Sequence, residues 1–290
     1  MRHAEPIFDI KSEHGEGPVW DEQTHSLYWV DIMMGRFFVG HVESRVIKEF
    51  EVGQPLGVLA LRENGGLVMA VRDGFGFYDE SSNQFELIAG SPEYDNKEVR
   101  FNDGAVDPAG RFFAGTMEWE GREDTGKLYR MDADHSFNLV ERNIYITNGM
   151  DWAPDRKTFY MTDTLRHVIY AYDYDIHTGA VSNRRNYIIF GSDEYPDGMC
   201  VDSEGGFWVA MWEGGKILRF DASGKKVGEI SVPVLHPTSC CFGGADMKTL
   251  FITSSQYPLS EQQKKEWPLA GRTFMLETEI KGQKQARFKG

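Results

Sequence analysis

One short pattern returns six times along this chain of 290 residues, at intervals of about 40 to 50 residues. The copies begin at Glu16 (EGPVWD), Leu56 (LGVLAL), Asn102 (NDGAVD), Asn148 (NGMDWA), Asp197 (DGMCVD) and Thr238 (TSCCFG). Each copy is followed by a turn rich in Gly or Asp and then by an apolar, aromatic run such as SLYWVDI or GFWVAM. Periods of this length are typical of propellers and solenoids, in which each repeat is one supersecondary unit.

The composition of the repeats points to strands. Short runs rich in Val, Ile, Phe, Tyr and Trp are bounded by Gly, Asp and Asn, and helical periodicity is nowhere sustained. Each repeat is interpreted as four antiparallel strands, and such units hide their apolar faces when they are arranged radially. A β-solenoid would use shorter and more uniform repeats. The sequence therefore predicts an all-β, six-bladed β-propeller that forms a single domain over residues 1–290.

Segments outside the repeats carry three further predictions. Residues 5–10 (EPIFDI) look like a strand without a unit of its own, and we expect them to pair with the last blade near residues 273–280 and close the ring. Residues 281–290 (KGQKQARFKG) are polar and basic, which predicts a loosely ordered end. Residues 260–267 (SEQQKKEW) are expected to form a short polar turn.

Charge and cysteine usage narrow the possible partners. Lys and Arg total 31 against 45 Asp and Glu, a net charge of −14, whereas nucleic acids and anionic membranes require basic patches. The first residues lack the apolar core of a signal peptide, and no apolar run approaches the roughly 18 residues of a membrane span. Cys200, Cys240 and Cys241 form no C-x-x-C motif and are expected to be buried, reduced thiols. We therefore expect a cytoplasmic protein that binds no nucleic acid or membrane and has no obligate protein partner.

The first residue of each copy, here called the start residue, is a candidate for chemistry. In a propeller the innermost strands line a central channel, so that equivalent strand ends converge. Two carboxylates and two amides stand among the six start residues, and no His or Cys does. Oxygen donors of this kind suit Ca²⁺, Mg²⁺ or Mn²⁺ better than a structural zinc site. The alternative is that Asp and Asn merely cap turns at strand ends.

Longer motifs carry a resemblance to a known family. They are GEGPVW (15–20), YWVDI (28–32), RFNDGAVDPAGRFFAGTM (100–117), GKLYRMD (126–132), NGMDWAPD (148–155), TDT (162–164), PDGMCVDSEGGFWVA (196–210) and PTSCCFGG (237–244). In these segments the chain resembles the SMP-30/gluconolactonase/LRE-like family, which includes regucalcin and bacterial sugar lactonases. The resemblance covers nearly the whole chain, and it implies a six-bladed propeller.

The resemblance also implies site residues. It assigns one divalent metal ion to Glu16, Asn148 and Asp197, with Ca²⁺ the first choice and Zn²⁺, Mn²⁺ or Mg²⁺ compatible. Arg100 and Asn102 are implied to face a sugar. A carboxylate after the Gly-Thr-Met element contacts substrate hydroxyls in the family. Its match is Glu120, with Glu118 as the alternative, because the stretch EWEGRED departs most from the family pattern.

The reaction implied by this resemblance is hydrolysis of an aldono-lactone, a cyclic sugar ester, to the open aldonic acid. Such a reaction needs a polarised carbonyl and an activated water. Asp197 is the candidate catalytic base. Because coordination lowers the basicity of a carboxylate, a hydroxide on the metal with Asp197 only orienting it stays open. The small-molecule partner would be a sugar lactone.

Other interpretations remain at this stage. The chain could hydrolyse other lactones or phosphotriesters with similar oxygen ligands, or it could be a non-catalytic calcium-binding protein. His14 lies two residues before Glu16, and a surface turn is its expected place, with a position beside the metal as the alternative. Trp212 follows an inner-strand motif and either lines the pocket or packs in the core.

Overall fold

The computed structural model describes residues 3–93 and 95–290. Twenty-four short strands make up nearly all of the regular structure in these residues. The strands are β1 (Glu5–Pro6), β2 (Gly15–Asp21), β3 (Ser26–Asp31), β4 (Arg36–His41), β5 (Ile47–Glu51), β6 (Leu56–Leu61), β7 (Leu67–Val71), β8 (Gly74–Asp79), β9 (Gln84–Gly90), β10 (Val99–Val106), β11 (Phe112–Glu118), β12 (Gly126–Met131), β13 (Phe137–Ile144), β14 (Thr147–Trp152), β15 (Thr158–Asp163), β16 (Val168–Tyr174), β17 (Val181–Ile189), β18 (Tyr195–Val201), β19 (Phe207–Trp212), β20 (Lys216–Phe220), β21 (Lys226–Ser231), β22 (His236–Gly243), β23 (Thr249–Ser255) and β24 (Phe274–Glu277).

These strands form six antiparallel sheets of four, which are the blades of a propeller. Blades 1 to 5 are β2–β5, β6–β9, β10–β13, β14–β17 and β18–β21, each in chain order. Blade 6 has the order β22-β23-β24-β1, so that it takes its outer strand from the other end of the chain. The predicted six-bladed propeller with four antiparallel strands per blade is confirmed.

The N-terminal segment closes the ring as predicted. Glu5 pairs with Met275 and Pro6 with Phe274 in the outer edge of blade 6. Just beyond this pairing, the ring of Phe8 stacks on Trp29 of blade 1 at 5.4 Å. Blade 6 is therefore complete only when both ends of the sequence are in place, and Phe8 ties it to blade 1.

Each innermost strand is interrupted by a β-bulge at its start residue. The breaks in register fall between Glu16 and Val19, Leu56 and Val58, Phe101 and Gly104, Asn148 and Met150, Pro196 and Met199, and Pro237 and Cys240. A bulge re-aims side chains and is common beside active sites. Gly149, which follows one start residue, has no room for a side chain, because a Cβ there would lie 2.5 Å from the backbone nitrogen of Met199. The repeated motif therefore marks the position of a β-bulge in each inner strand. At Gly149 this bulge brings two neighbouring inner strands into close contact.

Aromatic side chains fill the space between blades. Between blades 3 and 4, Phe113 meets Trp152 edge to face at 5.3 Å, and Trp152 packs on Phe159 at 4.9 Å. All three are almost completely buried. Aromatic pairs in these geometries add about 0.5–1.5 kcal/mol each beyond their area burial. The aromatic runs of the repeat are therefore what holds the blades against one another.

Residues 281–290, here called the tail, are fixed across one end of the channel, so the expectation of a loosely ordered end is wrong. Phe288 is fully buried and its amide donates to Leu61 O in blade 2. Gln285 Oε1 accepts from the amide of Trp20 in blade 1, and Gln283 Nε2 donates to Trp152 O in blade 4. Composition concealed this role, since one apolar anchor and two amides among charged residues provide the contacts.

Residues 260–267 were expected to be a turn, and this expectation is also wrong. Glu261–Glu266 form a short α-helix, α1. Its first turn is held by a reciprocal capping box between Ser260 and Gln263. The S-x-x-Q spacing that makes such a box is visible in the sequence. Among the described residues no helix has the length and apolar character to cross a membrane.

Candidate active site

Three oxygen-bearing start residues come from the inner strands of blades 1, 4 and 5. Glu16, Asn148 and Asp197 are 3%, 4% and 6% exposed. The equivalent residue of blade 2, Leu56, is an apolar core side chain. In blade 6 the hydroxyl of Thr238 is used internally, because it donates to Gly15 O at 2.6 Å. The start residues therefore separate into a polar group at the channel and two that serve packing.

The two carboxylates are buried together, which is electrostatically costly. Burial raises the pKa of Glu16 well above its usual range, and the charges of Asp197 and Asp103 raise it further. Burial likewise raises the pKa of Asp197, with Asp103 adding to the effect, while a hydrogen bond from Asn148 and the charge of Arg100 partly oppose it. Two acids with such pKa values need a shared proton or a cation between them.

Asn148 is held so that its amide oxygen is left over. Its Nδ2 donates to Thr164 Oγ1 at 3.0 Å, and that hydroxyl donates to Pro196 O at 2.8 Å. The amide orientation is thereby fixed, and Asn148 Oδ1 is buried without a partner. An unpaired buried acceptor costs about 1–3 kcal/mol unless a donor or a cation meets it.

The donor set fits a hard divalent cation. Glu16, Asp197 and the unpartnered oxygen of Asn148 offer oxygen atoms only, which Ca²⁺, Mg²⁺ and Mn²⁺ prefer. Among residues 3–93 and 95–290 no group of three His, Cys, Asp or Glu side chains is arranged for a metal ion. A metal at this point would therefore take the amide of Asn148 as its third protein ligand.

Arg100 and Asn102 form one unit on blade 3. Arg100 Nη1 donates to Asn102 Oδ1 at 2.6 Å and to Phe101 O at 3.1 Å, and Asn102 Nδ2 donates to Thr147 O at 2.8 Å. Burial lowers the pKa of Arg100 to about 10, against the attraction of Glu16, Tyr257 and Asp197, so it stays charged at neutral pH. Its Nε is buried without a partner. The guanidinium is thus fixed by Asn102 and keeps one free donor.

The two candidate substrate carboxylates lie at the edge of an open depression. Glu120 Oε2 accepts from Arg122 Nη2 at 2.9 Å, and its side chain is 55% exposed. Glu118 Oε2 accepts from the amide of Arg122 at 2.8 Å. Both carboxylates line a depression of about 600 Å³, and Trp119 lines it as well. The Trp119 ring lies 5.8 Å from the guanidinium of Arg100, so the depression borders on the channel residues. The structure brings neither carboxylate into a hydrogen bond with the channel residues it describes, and the role of Glu120 stays a prediction.

His14 does not occupy a surface turn, so that expectation is wrong. Its amide donates to Asp31 Oδ1 at 2.9 Å, and its Nδ1 hydrogen-bonds with Ser255 Oγ at 2.9 Å, which joins blades 1 and 6. Burial, together with the nearby charge of Arg100, lowers the pKa of His14 to about 3. His14 is therefore a neutral imidazole close to the site.

Sequence reasoning missed a second ring of residues, here called the rim ring, two positions before the start residues. Side chains two apart on a strand share a face, and the hydrogen bond between Arg100 and Asn102 shows that they do so here. The repeat contained the information needed to find these residues. Counting two positions back from the start residue in every blade identifies all six. The members of the rim ring are His14, Gln54, Arg100, Ile146, Tyr195 and His236.

On the other side of the start residues the channel holds a cavity of about 510 Å³, closed by tail residues such as Gln283 and Gln285. Burial raises the pKa of Asp103 and of Asp151, which both line it, to about 6. The cavity also contains Cys200, whose sulfur lies 3.7 Å from that of a second thiol, and burial raises the pKa of Cys200 well above its usual range. Because the tail covers this side, the rim ring is the open approach to the site.

Comparison with known proteins shows to which family this chain belongs. The model of the SMP-30/gluconolactonase/LRE-like region matches residues 14–256. A regucalcin from Danio rerio is 39% identical over 277 residues, covering 94% of this chain and 93% of that protein. A 6-deoxy-6-sulfogluconolactonase from Pseudomonas putida is 37% identical over 279 residues, covering 95% of each.

A solved structure is similar along the whole chain. It is that of a calcium-binding regucalcin from Agrobacterium tumefaciens, with a TM-score of 0.95 and 25% identity. The alignment covers 100% of this chain and 98% of that one. The two proteins therefore share the same overall fold along their whole length.

Proposed function

The chain belongs to the SMP-30/gluconolactonase/LRE-like family of regucalcins and sugar lactonases, and from that premise we propose that it is a metal-dependent hydrolase that opens a sugar lactone to the aldonic acid. The observation that carries the proposal is the fixed, unpartnered oxygen of Asn148 beside two buried carboxylates of raised pKa. Buried acids and an unpaired acceptor lower the stability of the fold, so a purely structural channel would not need them. They are useful where a bound cation and a reacting carbonyl take up these oxygen atoms.

Glu16, Asn148 and Asp197 would hold the cation. When bound, a divalent cation polarises the lactone carbonyl and lowers the pKa of an adjacent water. Calcium is the first choice, because the donors are all oxygen atoms and a similar structure is that of a calcium-binding protein.

Asp197 is the proposed base. A water attacks the carbonyl carbon, its proton passes to the carboxylate of Asp197, and the bond between the carbonyl carbon and the ring oxygen breaks. The ring oxygen leaves as a hydroxyl group after it takes up a proton, so that one water is added overall. In the metal-free protein burial raises the pKa of Asp197. A bound cation would lower it again, so that the carboxylate is ionised and able to accept the proton.

Arg100 orients the substrate in this proposal. Its guanidinium is fixed by Asn102 and keeps a free Nε–H, a donor suited to a hydroxyl or the ring oxygen of the lactone. Asn102 retains its second amide hydrogen for the same substrate. The pair therefore positions the ring and leaves proton transfer to Asp197.

The proposal is tested on chelator-treated protein supplied again with single metals. Hydrolysis of D-glucono-1,5-lactone and an aldono-1,4-lactone is followed with a pH indicator, and metal retention is measured on the purified protein. We expect turnover that one hard divalent cation restores, and loss of both turnover and metal retention in Glu16→Gln.

Leu56→Met is the matched control. It changes the equivalent start residue of blade 2, which is apolar and buried, by a substitution that conserves volume. It should keep metal and turnover. Metal retention without hydrolysis of any lactone would reject the enzyme and favour a calcium-binding protein.

A further inference from the structure

The residues of the rim ring differ in chemistry from one side of the channel to the other. Blade 3 contributes the charged Arg100, whereas blades 5, 6 and 1 contribute rings. Four residues, here called the aromatic wall, lie together on this side: His14, Trp212, His236 and Tyr257. They come from segments next to the start residues of blades 5, 6 and 1, and none of them is needed for the proposed proton transfer or cation.

The wall is a continuous stack. Trp212 and His236 lie face to face, with ring centroids 4.1 Å apart and planes 9° apart. His14 contacts Trp212 at 5.8 Å and Tyr257 at 6.0 Å. Pairing of Trp212 with Tyr195 fixes the wall two residues from Asp197. The position of the rings is therefore set by the same strand that positions the proposed base.

His236 carries no charge at neutral pH, because burial lowers its pKa to about 4. His236 is 3% exposed and its Nδ1 has no partner, while Tyr257 is 43% exposed. A surface of aromatic faces with an unused imidazole nitrogen is amphipathic, and it suits a ligand that has both C–H and hydroxyl groups.

We propose that the aromatic wall is the platform on which the C–H face of an uncharged polyhydroxy lactone packs, with Arg100 on the opposite side of the ring, and that Trp212 determines how tightly such lactones bind. This inference rests on the proposed lactonase function and adds the surface that binds the sugar ring and sets the affinity for it. Contact with the wall is the same before and during hydrolysis. It therefore contributes uniform binding, which lowers KM and leaves kcat unchanged.

The test compares Trp212→Ala with Trp212→Phe, since Phe keeps an aromatic face. For D-glucono-1,5-lactone we expect Trp212→Ala to raise KM about tenfold, in line with loss of a stacking contact, with kcat within about threefold of the parent. Trp212→Phe should stay within about threefold in both constants. Metal retention is measured on each protein and should be unchanged, because Trp212 lies outside the proposed ligand set. The thermal unfolding midpoint is also measured, and the kinetic comparison is made at a temperature where each variant is folded, because Trp212→Ala removes the stacking contact with His236.

A KM for Trp212→Ala equal to that of the parent would overturn the proposal, as would equal losses in the Ala and Phe variants. A binding measurement separates this failure from failure of the lactonase function itself. D-gluconate and D-glucitol are titrated against the calcium-loaded parent and Trp212→Phe while tryptophan fluorescence is recorded. Quenching by glucitol in the parent that is lost in Trp212→Phe supports the wall even if no lactone is hydrolysed, and absence of this difference counts against it.

Discussion

The two ends of the inner strand of blade 5 use the same kind of side chain in opposite ways. Asp197, at the start of the copy in blade 5, is buried beside other acids and its pKa is raised. Asp202, which directly follows the end of β18, accepts from the amides of Glu204 and Gly206 and from Trp208 Nε1 at 2.9 Å. The difference lies in the number of donors that the local chain supplies. A carboxylate that its own turn satisfies is structural, and one that its turn leaves unsatisfied is available for a ligand.

The two ends of the whole channel also differ in how their polar groups are paired. At the rim, Arg100 Nε, Asn148 Oδ1 and His236 Nδ1 are buried without partners. At the other end the tail supplies partners to the inner strands, as when the amide of Trp20 donates to Gln285 Oε1 at 2.9 Å. Three unpartnered polar atoms of different chemistry therefore lie on the open side, where a substrate and a cation can meet them. At the tail end the indole nitrogens of Trp20 and Trp152 are also unpartnered, but no acidic side chain among the residues described is left unpartnered there.

The largest effect is expected from a substitution that removes the proposed base. Asp197→Asn should lower kcat of the metal-supplied protein by about a thousandfold, the range expected for loss of a general base. The metal-free variant should be at least as stable as the parent, because the substitution removes a buried like charge. Lactone turnover and urea unfolding measure the two effects. Full activity in Asp197→Asn would show that the site is assigned wrongly.

A substitution in the tail should produce the reverse pattern. Phe288→Ala removes a fully buried ring that packs between blades 2 and 3, which should cost about 3 kcal/mol of unfolding free energy. At a temperature where the variant is folded, its kcat and KM should match those of the parent. Urea denaturation followed by far-UV circular dichroism supplies the stability. An unchanged midpoint would mean that the tail does not fasten the blades.

A milder loss is expected at the satisfied aspartate. Asp202→Ala leaves two amides and the indole N–H of Trp208 without their acceptor, at a cost of about 2 kcal/mol. Metal affinity and turnover should be retained, in contrast to Asp197→Asn. Isothermal titration with Ca²⁺ and the lactone assay provide the readouts, and a loss of calcium binding at unchanged stability would contradict the division between the two ends.

The smallest effect concerns Asp103, which lies between the two ends. Its pKa in the folded protein is about 6, above its ordinary value of 3.8, so the folded state holds a proton that the unfolded chain releases. Stability of the metal-free protein should therefore fall as pH rises from about 4 to about 6, by on the order of 1–2 kcal/mol from this group. Asp103→Asn keeps an oxygen that can accept from the Gly104 amide and should flatten this dependence. Urea unfolding at pH 4.5 and pH 7 tests it, and parallel curves for the two proteins would exclude this role for Asp103.

The ring of blades was predictable because the period and the aromatic runs of the repeat are both set within a single blade. Blades of this kind bury their apolar faces when they pack radially, so the number of repeats gives the number of blades. The repeat also put Glu16, Asn148 and Asp197 in one register. The orphaned oxygen of Asn148 was not predictable, since it depends on Thr164 accepting from Nδ2 across a bulge. The tail was missed for a similar reason, because its partners come from all six blades and leave no local pattern. His14 was misplaced because the register was read only at the start residues and not two positions earlier.

The pairing of Glu5 with Met275 has a consequence for folding kinetics. It joins residues separated by nearly the whole chain, so the loop it closes is among the longest that this sequence can form. The entropy of that closure is regained only when blades 1 to 5 already hold the two segments near each other. Blade 6 should therefore be the last to acquire protection against amide hydrogen exchange, and the exchange rate of β24 would report the completion of the entire ring.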